Sequence, residues 1–244
     1  STRPELLRLA ARAAAERGWI LTSHVAESEE EFSMFRLGAG RMHEWLRSQR
    51  EMADCNGVTP VAHAARSGLL CPGAVLVHMN YLGDGDAGLL TGSGVAVVHC
   101  PRSHAYFGHA PFPLEAVRGA GVRICLGTDS LMSTLCVGRA APTLSLFAEM
   151  AAARRSMPSL GAGEVLRMVT VDAAAALGLG GRAGEIAPGA WADLIGVPAG
   201  GDPEEVLEEI AGFDGRVRLS IIAGVCEFGP PEVREAWRPA EELA

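Results

Sequence analysis

At 244 residues, with 48% hydrophobic and 20% charged side chains, the chain has an ordinary globular composition and enough apolar surface to bury a core, in one large domain or two small ones. The net charge of -8 argues against nucleic acid as a partner, since phosphate binding needs Lys and Arg in excess. No apolar run approaches the ~18–20 residues of a membrane span, and the opening residues lack the basic and apolar regions of a signal peptide.

In chain order, a helix is expected over 5–16, then a short apolar run over 19–23 that ends at His24. Helical patterning returns over 29–50, with a break near 38–40, and over 60–67. A second apolar run, 74–77, precedes His78, and a helix follows over 86–91. A third run, 95–98, precedes His99, with a helix over 113–119. The fourth run, 122–126, leads into Gly127, Thr128 and Asp129, before a helix over 142–155. Near-continuous apolar strands of this kind suit a parallel sheet buried on both faces, and their alternation with helices implies right-handed βαβ units.

Each of the four strands ends in a residue capable of chemistry. A single histidine at a strand end is more often a hydrogen-bonded structural residue. Three His and one Asp at equivalent points of four successive units point instead to the mouth of a (β/α)₈ barrel, whose active site lies at the C-terminal ends of its strands. An open flavodoxin-like sheet also places ligands there, but has no reason to supply metal-ligating residue types on every strand.

Beyond residue 160 the pattern changes. An Ala-rich helical stretch over 164–179 is followed by Gly180, Gly181 and Gly184, then by β-like pieces over 184–186, 192–197 and 218–222. Gly224 suits a hairpin turn into 225–228, and the Pro- and Glu-rich tail from Pro230 is expected to be ordered only by docking. Six cysteines, Cys55, Cys71, Cys100, Cys125, Cys136 and Cys226, show no C-x-x-C spacing. Several lie in apolar runs, as suits reduced thiols in a cytoplasm.

Five motifs in order carry a family resemblance. The segment from Ser23 through His24-Val25-Ala26-Glu27 to Glu31 resembles the H-x-A-E motif on the fifth barrel strand of the metal-dependent amidohydrolase superfamily. The match is to the deaminase/chlorohydrolase branch, which holds adenosine and S-adenosylhomocysteine deaminases, guanine deaminase and triazine hydrolases. His78 stands at the strand-six histidine, His99-Cys100-Pro101-Arg102-Ser103 is similar to H-C-P-x-S after strand seven, and Leu126-Gly127-Thr128-Asp129 is similar to L-G-T-D of strand eight. The stretch from Gly184 to Leu194 resembles G-x-I-x-x-G-x-x-A-D-L, where the chain returns to a small β-sandwich.

The resemblance implies an α/β fold, a TIM-type barrel of which residues 1–179 supply strands five to eight, with 180–244 as part of a small β domain and tail. It implies one divalent transition metal, Zn²⁺ or alternatively Fe²⁺, with His24 and Asp129 as ligands; imidazole and carboxylate are suitable zinc donors. Glu27 is implied as the proton shuttle, His78 as a hydrogen-bonding stabiliser of the attacking water or oxyanion, and Asp129 as a second acceptor of a water proton. Glu29, Glu30 and Glu31 read as acids at a helix N-terminus. His99 either points into the barrel or packs beneath Pro101. His43 and His63 read as surface or packing residues. The family's Asn after C-P-x-S is replaced by His104, in a loop from Arg102 to His109 carrying a guanidinium, two imidazoles, a phenol and a phenyl ring. That loop reads either as self-packing or as a specificity loop, with His99, Arg102, Ser103, His104, His109 and Ser130 facing the substrate.

The implied reaction is hydrolytic deamination of an aminopurine or similar N-heterocycle, with a metal-bound hydroxide attacking the amine-bearing carbon. Displacement of another leaving group, such as halide, and a catalytically dead binding protein are the alternatives. The expected partner is a small heterocycle, without nucleic acid or membrane; a homo-oligomer is compatible with this. The superfamily's strand-one H-x-H pair is absent. The opening Ser1-Thr2-Arg3-Pro4-Glu5-Leu6-Leu7 resembles the region after strand four, so a truncated sequence is favoured over a separate N-terminal segment or a degenerate paralogue.

Overall fold

Local signals in the sequence explain where the elements begin and end. The computed structural model describes residues 2–134 and 142–237, which leaves Ser1 and Cys136 outside the described residues. Helix α1 (Pro4–Arg17) starts with proline in its first turn and stops at Gly18, whose left-handed backbone closes the last turn onto Ala14. Strand β1 (Leu21–Val25) leads to α2 (Glu29–Leu37), capped by Ser28 and ended by left-handed Gly38; α3 (Arg41–Leu46) follows, so the break falls where the glycines predicted it. Next come α4 (Pro60–Arg66), β2 (Ala74–His78), α5 (Asp86–Leu90), β3 (Ala96–His99), α6 (Pro101–Phe107), α7 (Leu114–Gly119), β4 (Arg123–Leu126) and a 3₁₀ turn at Leu131–Ser133.

The four strands form one parallel sheet in the order β1-β2-β3-β4, with β1 and β4 at its edges. The register sets Val25 beside His78 and His99 beside Leu126. Alternation along the strands then divides the sheet. One face, with Val25, Leu76, Val97, Ile124 and Leu126, is deeply buried; the other, with His24, Val77 and Val98, is more open. In the same unit, Met34, Phe35, Leu46, Cys55 and Val58 form a separate apolar cluster beneath α2 and α3.

The remaining elements are α8 (Leu146–Ser156), α9 (Ala162–Val169), α10 (Val171–Ala176), β5 (Leu194–Gly196), α11 (Pro203–Ala211), β6 (Leu219–Ile222), β7 (Val225–Phe228) and α12 (Pro231–Ala236). Strands β5, β6 and β7 form a small antiparallel sheet. The chain divides into two compact units, Ser1–Leu144 with Ala176–Gly178, and Ser145–Ala175 with Leu179–Ala244. This division differs from the 179/180 boundary read from sequence, because α8 and α9 pack against α11 in the second unit. No helix among the described residues is long and apolar enough to cross a membrane.

Several expectations need correction. The loop from Arg102 to His109 is mostly helix α6, with Pro101 in its first turn and left-handed Gly108 as its cap. Residues 184–186 form no strand: Gly184 has φ +80° and Ile186 is exposed. Helix α11 was not anticipated, although Asp202 and Glu205 make a capping box around Pro203. The tail from Pro230 contains helix α12.

Gly184 is held by its surroundings as well as by its φ. A Cβ there would lie 2.6 Å from both the carbonyl carbon and oxygen of Thr170, which cannot give way as a flexible side chain would. Gly189 has φ +91° but nothing within 4 Å of such a Cβ. Gly184→Ala should therefore lower the Tm more than Gly189→Ala, which meets only the ~1 kcal/mol order of backbone strain. Thermal unfolding of the two variants measures the difference, and equal shifts would contradict the close approach to Thr170.

Candidate metal and catalytic centre at the strand ends

The parallel register brings three strand ends to one place. One ligand atom from each of His24, at the end of β1, His78, ending β2, and Asp129, just beyond β4, lies within 4.8 Å of the others. The His24 and His78 ring centroids are 5.2 Å apart. Two imidazoles and a carboxylate converging in this way are a donor set that suits zinc. The backbone is unusual here: His78 has φ +78°, Met79 +54°, Asp129 +52° and Ala26 +55°. Left-handed backbone at non-glycine residues is uncommon, and such strain clusters at functional sites.

Asp129 is fixed by two hydroxyls. Ser103 Oγ and Ser133 Oγ both donate to its Oδ2, at 2.6 and 2.8 Å. Burial acts to raise its pKa, but these bonds and nearby His78 together hold the carboxyl below its ordinary value. For His78 burial is the dominant influence and lowers its pKa, although Glu27 and Asp129 pull it upward. A neutral imidazole is thereby favoured near neutrality. Glu27 Oε1 is 3.6 Å from His78 Nε2, with the Glu27 side chain about a third exposed at 35%. Burial pushes the Glu31 carboxyl up from its ordinary pKa, against the backbone N–H bonds it accepts from Glu27 and Ala26.

The other expected site residues occupy different settings. His99 is 1% exposed, its ring stacked 4.1 Å from Phe112, and burial pushes its pKa down to about 3. By register it lies on the same sheet face as Val25 and His78, packed against Phe112. Ser103 is likewise buried, with its hydroxyl on Asp129. Arg102 Nη1 donates to the Thr143 carbonyl at 2.7 Å, and Ser130 Oγ accepts from Met132 N in the 3₁₀ turn. His104 Nε2 lies 2.8 Å from the Ala110 carbonyl oxygen, which can only accept, so that nitrogen carries the proton. His109 Nδ1 is 3.4 Å from the Tyr81 hydroxyl. His63, expected at the surface or in packing, is buried and 2.8 Å from Asp54 Oδ2.

Sequence reasoning did not single out Ser133, Asn80 or Tyr81. The available signals were proximity to motif residues: Ser133 follows Asp129 by four positions, and Asn80 follows His78 by two.

A family model described as "Amidohydrolase family" matches residues 1–226. The chain belongs to the amidohydrolase family. This amidohydrolase is 39% identical over 146 residues to a 5-methylthioadenosine/S-adenosylhomocysteine deaminase of Syntrophobacter fumaroxidans, covering 57% of this chain and 32% of the relative. It is 34% identical over 164 residues to an aminodeoxyfutalosine deaminase of Deinococcus radiodurans, covering 64% and 38%. Its fold matches a zinc-bound adenosine deaminase from Xanthomonas campestris with a TM-score of 0.75 at 23% identity, covering 100% of this chain and 56% of the other. The chain thus spans about a third of the length of the curated relatives it matches, and its α/β fold corresponds to about half of an amidohydrolase barrel chain.

The serine pair on Asp129 gives a pH test. A carboxyl whose folded pKa lies below its ordinary value of about 3.9 keeps its charge, and anything that charge holds, until the pH falls through the lowered value. Removing both donors in Ser103→Ala/Ser133→Ala takes away two groups that lower it, so Asp129 should protonate at higher pH. An NMR titration of the Asp129 carboxyl in the two proteins measures the shift. An unchanged midpoint would show that the two hydroxyls do not tune this carboxylate.

Proposed function

We propose that this chain carries the strand-five-to-eight half of a zinc-dependent hydrolytic deaminase acting on an aminated N-heterocycle of the adenine-nucleoside kind. The observation that carries the reading is the convergence of His24, His78 and Asp129, with the Glu27 carboxylate beside His78. The curated relatives' names, all adenine-nucleoside or futalosine deaminases in the cases given above, support the substrate class. The zinc in the Xanthomonas structure supports the metal.

His24 and Asp129 would hold the zinc, which supplies Lewis acidity and lowers the pKa of water. The chain's own residues manage the protons. Glu27 accepts a proton from the attacking water and delivers it to the ring nitrogen as water adds at the amine-bearing carbon; the second water proton then passes to the amino group, the C–N bond breaks and ammonia leaves as the carbonyl forms. Neutral His78, between Glu27 and Asp129, donates a hydrogen bond to the oxygen that develops charge. Asp129, kept ionised by its serine donors, is able to accept the second water proton.

Two variants of the full-length protein separate the roles. Glu27→Gln keeps size but cannot accept a proton, so it should retain zinc while ammonia release from adenosine, 5-methylthioadenosine and S-adenosylhomocysteine falls by about 10²–10⁴-fold. His24→Ala should lose zinc, because it removes an imidazole ligand. Loss of zinc in Glu27→Gln, or turnover within a few-fold of the parent, would overturn the assignment of Glu27.

A further inference from the structure

The peptide that bears Glu27 is held from both ends. Its own N–H donates to Glu31 Oε2 at 2.7 Å, and the preceding N–H, of Ala26, donates to Oε1 of the same carboxylate at 3.0 Å. Its carbonyl accepts from Asn80 Nδ2 at 3.0 Å. The Ala26 carbonyl accepts from the backbone N–H groups of Asn80 and Tyr81, at 2.9 and 3.1 Å. Before it, the Val25 carbonyl accepts from Met79 N at 3.0 Å. The turn leaving β1 is thus tied to the turn leaving β2 and to the first turn of α2.

These ties are specific in chemistry. An acid at the start of a helix ordinarily serves its own helix or the cap residue. Glu31 instead reaches past the cap, Ser28, whose hydroxyl accepts from the Glu31 N–H at 3.2 Å, to the two residues before it. Asn80 is 4% exposed, and its side-chain donor is committed to the Glu27 carbonyl. Between the two anchors Ala26 sits at φ +55°, a conformation that persists only where its surroundings enforce it.

We propose that Glu31 and Asn80 are positioning residues for Glu27: together they fix the peptide from which its carboxylate reaches the reacting groups. The inference rests on the reading of Glu27 as the proton shuttle. Neither side chain is required to touch substrate. Their effect is to limit the positions Glu27 samples, and misplacement of a reacting group by about 1 Å can cost 10²-fold in rate.

The test uses the zinc-loaded full-length protein with Asn80→Ala and, as an independent and milder change, Glu31→Gln. Amide hydrogen exchange at Ala26 and Glu27 should be faster in both variants, with exchange inside β2 unchanged; unchanged exchange at Ala26 and Glu27 would overturn the clamp. With 5-methylthioadenosine, kcat should fall about 10–10²-fold, while KM and zinc content stay within a few-fold of the parent. The same substitutions in a Glu27→Gln background should cause little further loss, because the group they position is already disabled. Faster exchange with an unaltered kcat, or full multiplicative loss in the Glu27→Gln background, would show that these residues do not act through Glu27. Failure of the underlying reading looks different: Glu27→Gln alone would then retain turnover.

Discussion

The hydrogen-bond ladder between β1 and β2 continues past the point where the strands turn, and the candidate site depends on that continuation. Val25, Ala26 and Glu27 offer their carbonyls to Met79, Asn80 and Tyr81, and two of these residues, Ala26 and Met79, have left-handed backbone. Buried backbone groups must find partners, and here the partners lie on the neighbouring strand's exit. That arrangement brings His24, Glu27 and His78 to one mouth.

Polar groups removed from water are costly unless paired, and the site handles its charges in different ways. Asp129 has two serine donors on one oxygen, which keep it ionised in spite of burial. His78 is kept neutral chiefly by burial. The Glu27 side chain remains partly open to solvent, with its main chain anchored in place of its carboxylate. Contrasting environments for neighbouring ionisable groups are how a single site can hold both a fixed charge and a mobile proton.

The strand ends were legible from sequence because parallel strands buried on both faces read as short apolar runs, and His24, His78 and Asp129 stand directly after or at the end of such runs. The helix break at Gly38 was legible for a similar reason, since glycine there takes a left-handed conformation few other residues accept. Helix α6 was hidden by its own side chains: two histidines, an arginine and two aromatic residues over 102–109 drew attention to binding chemistry, while Pro101 and Gly108 marked helix ends. The orientation of His99 was undetermined because a strand-final residue can lie on either face, and only register shows which. Ser133 and Asn80 were illegible for another reason. Their importance comes from contacts between segments, 133 with 129 across a tight turn and 80 with 27 across two strands, which no linear pattern announces.

The sheet of the first unit also has two outer strands, β1 and β4, each with one side unpaired among the described residues. Exposed strand edges are ready templates for other strands. If these 244 residues were expressed by themselves, the first practical difficulty would be colloidal: edge-to-edge association competing with folding. Fusing or co-producing a segment that pairs with these edges would then raise the yield of dispersed protein before any effect on chemistry could be measured.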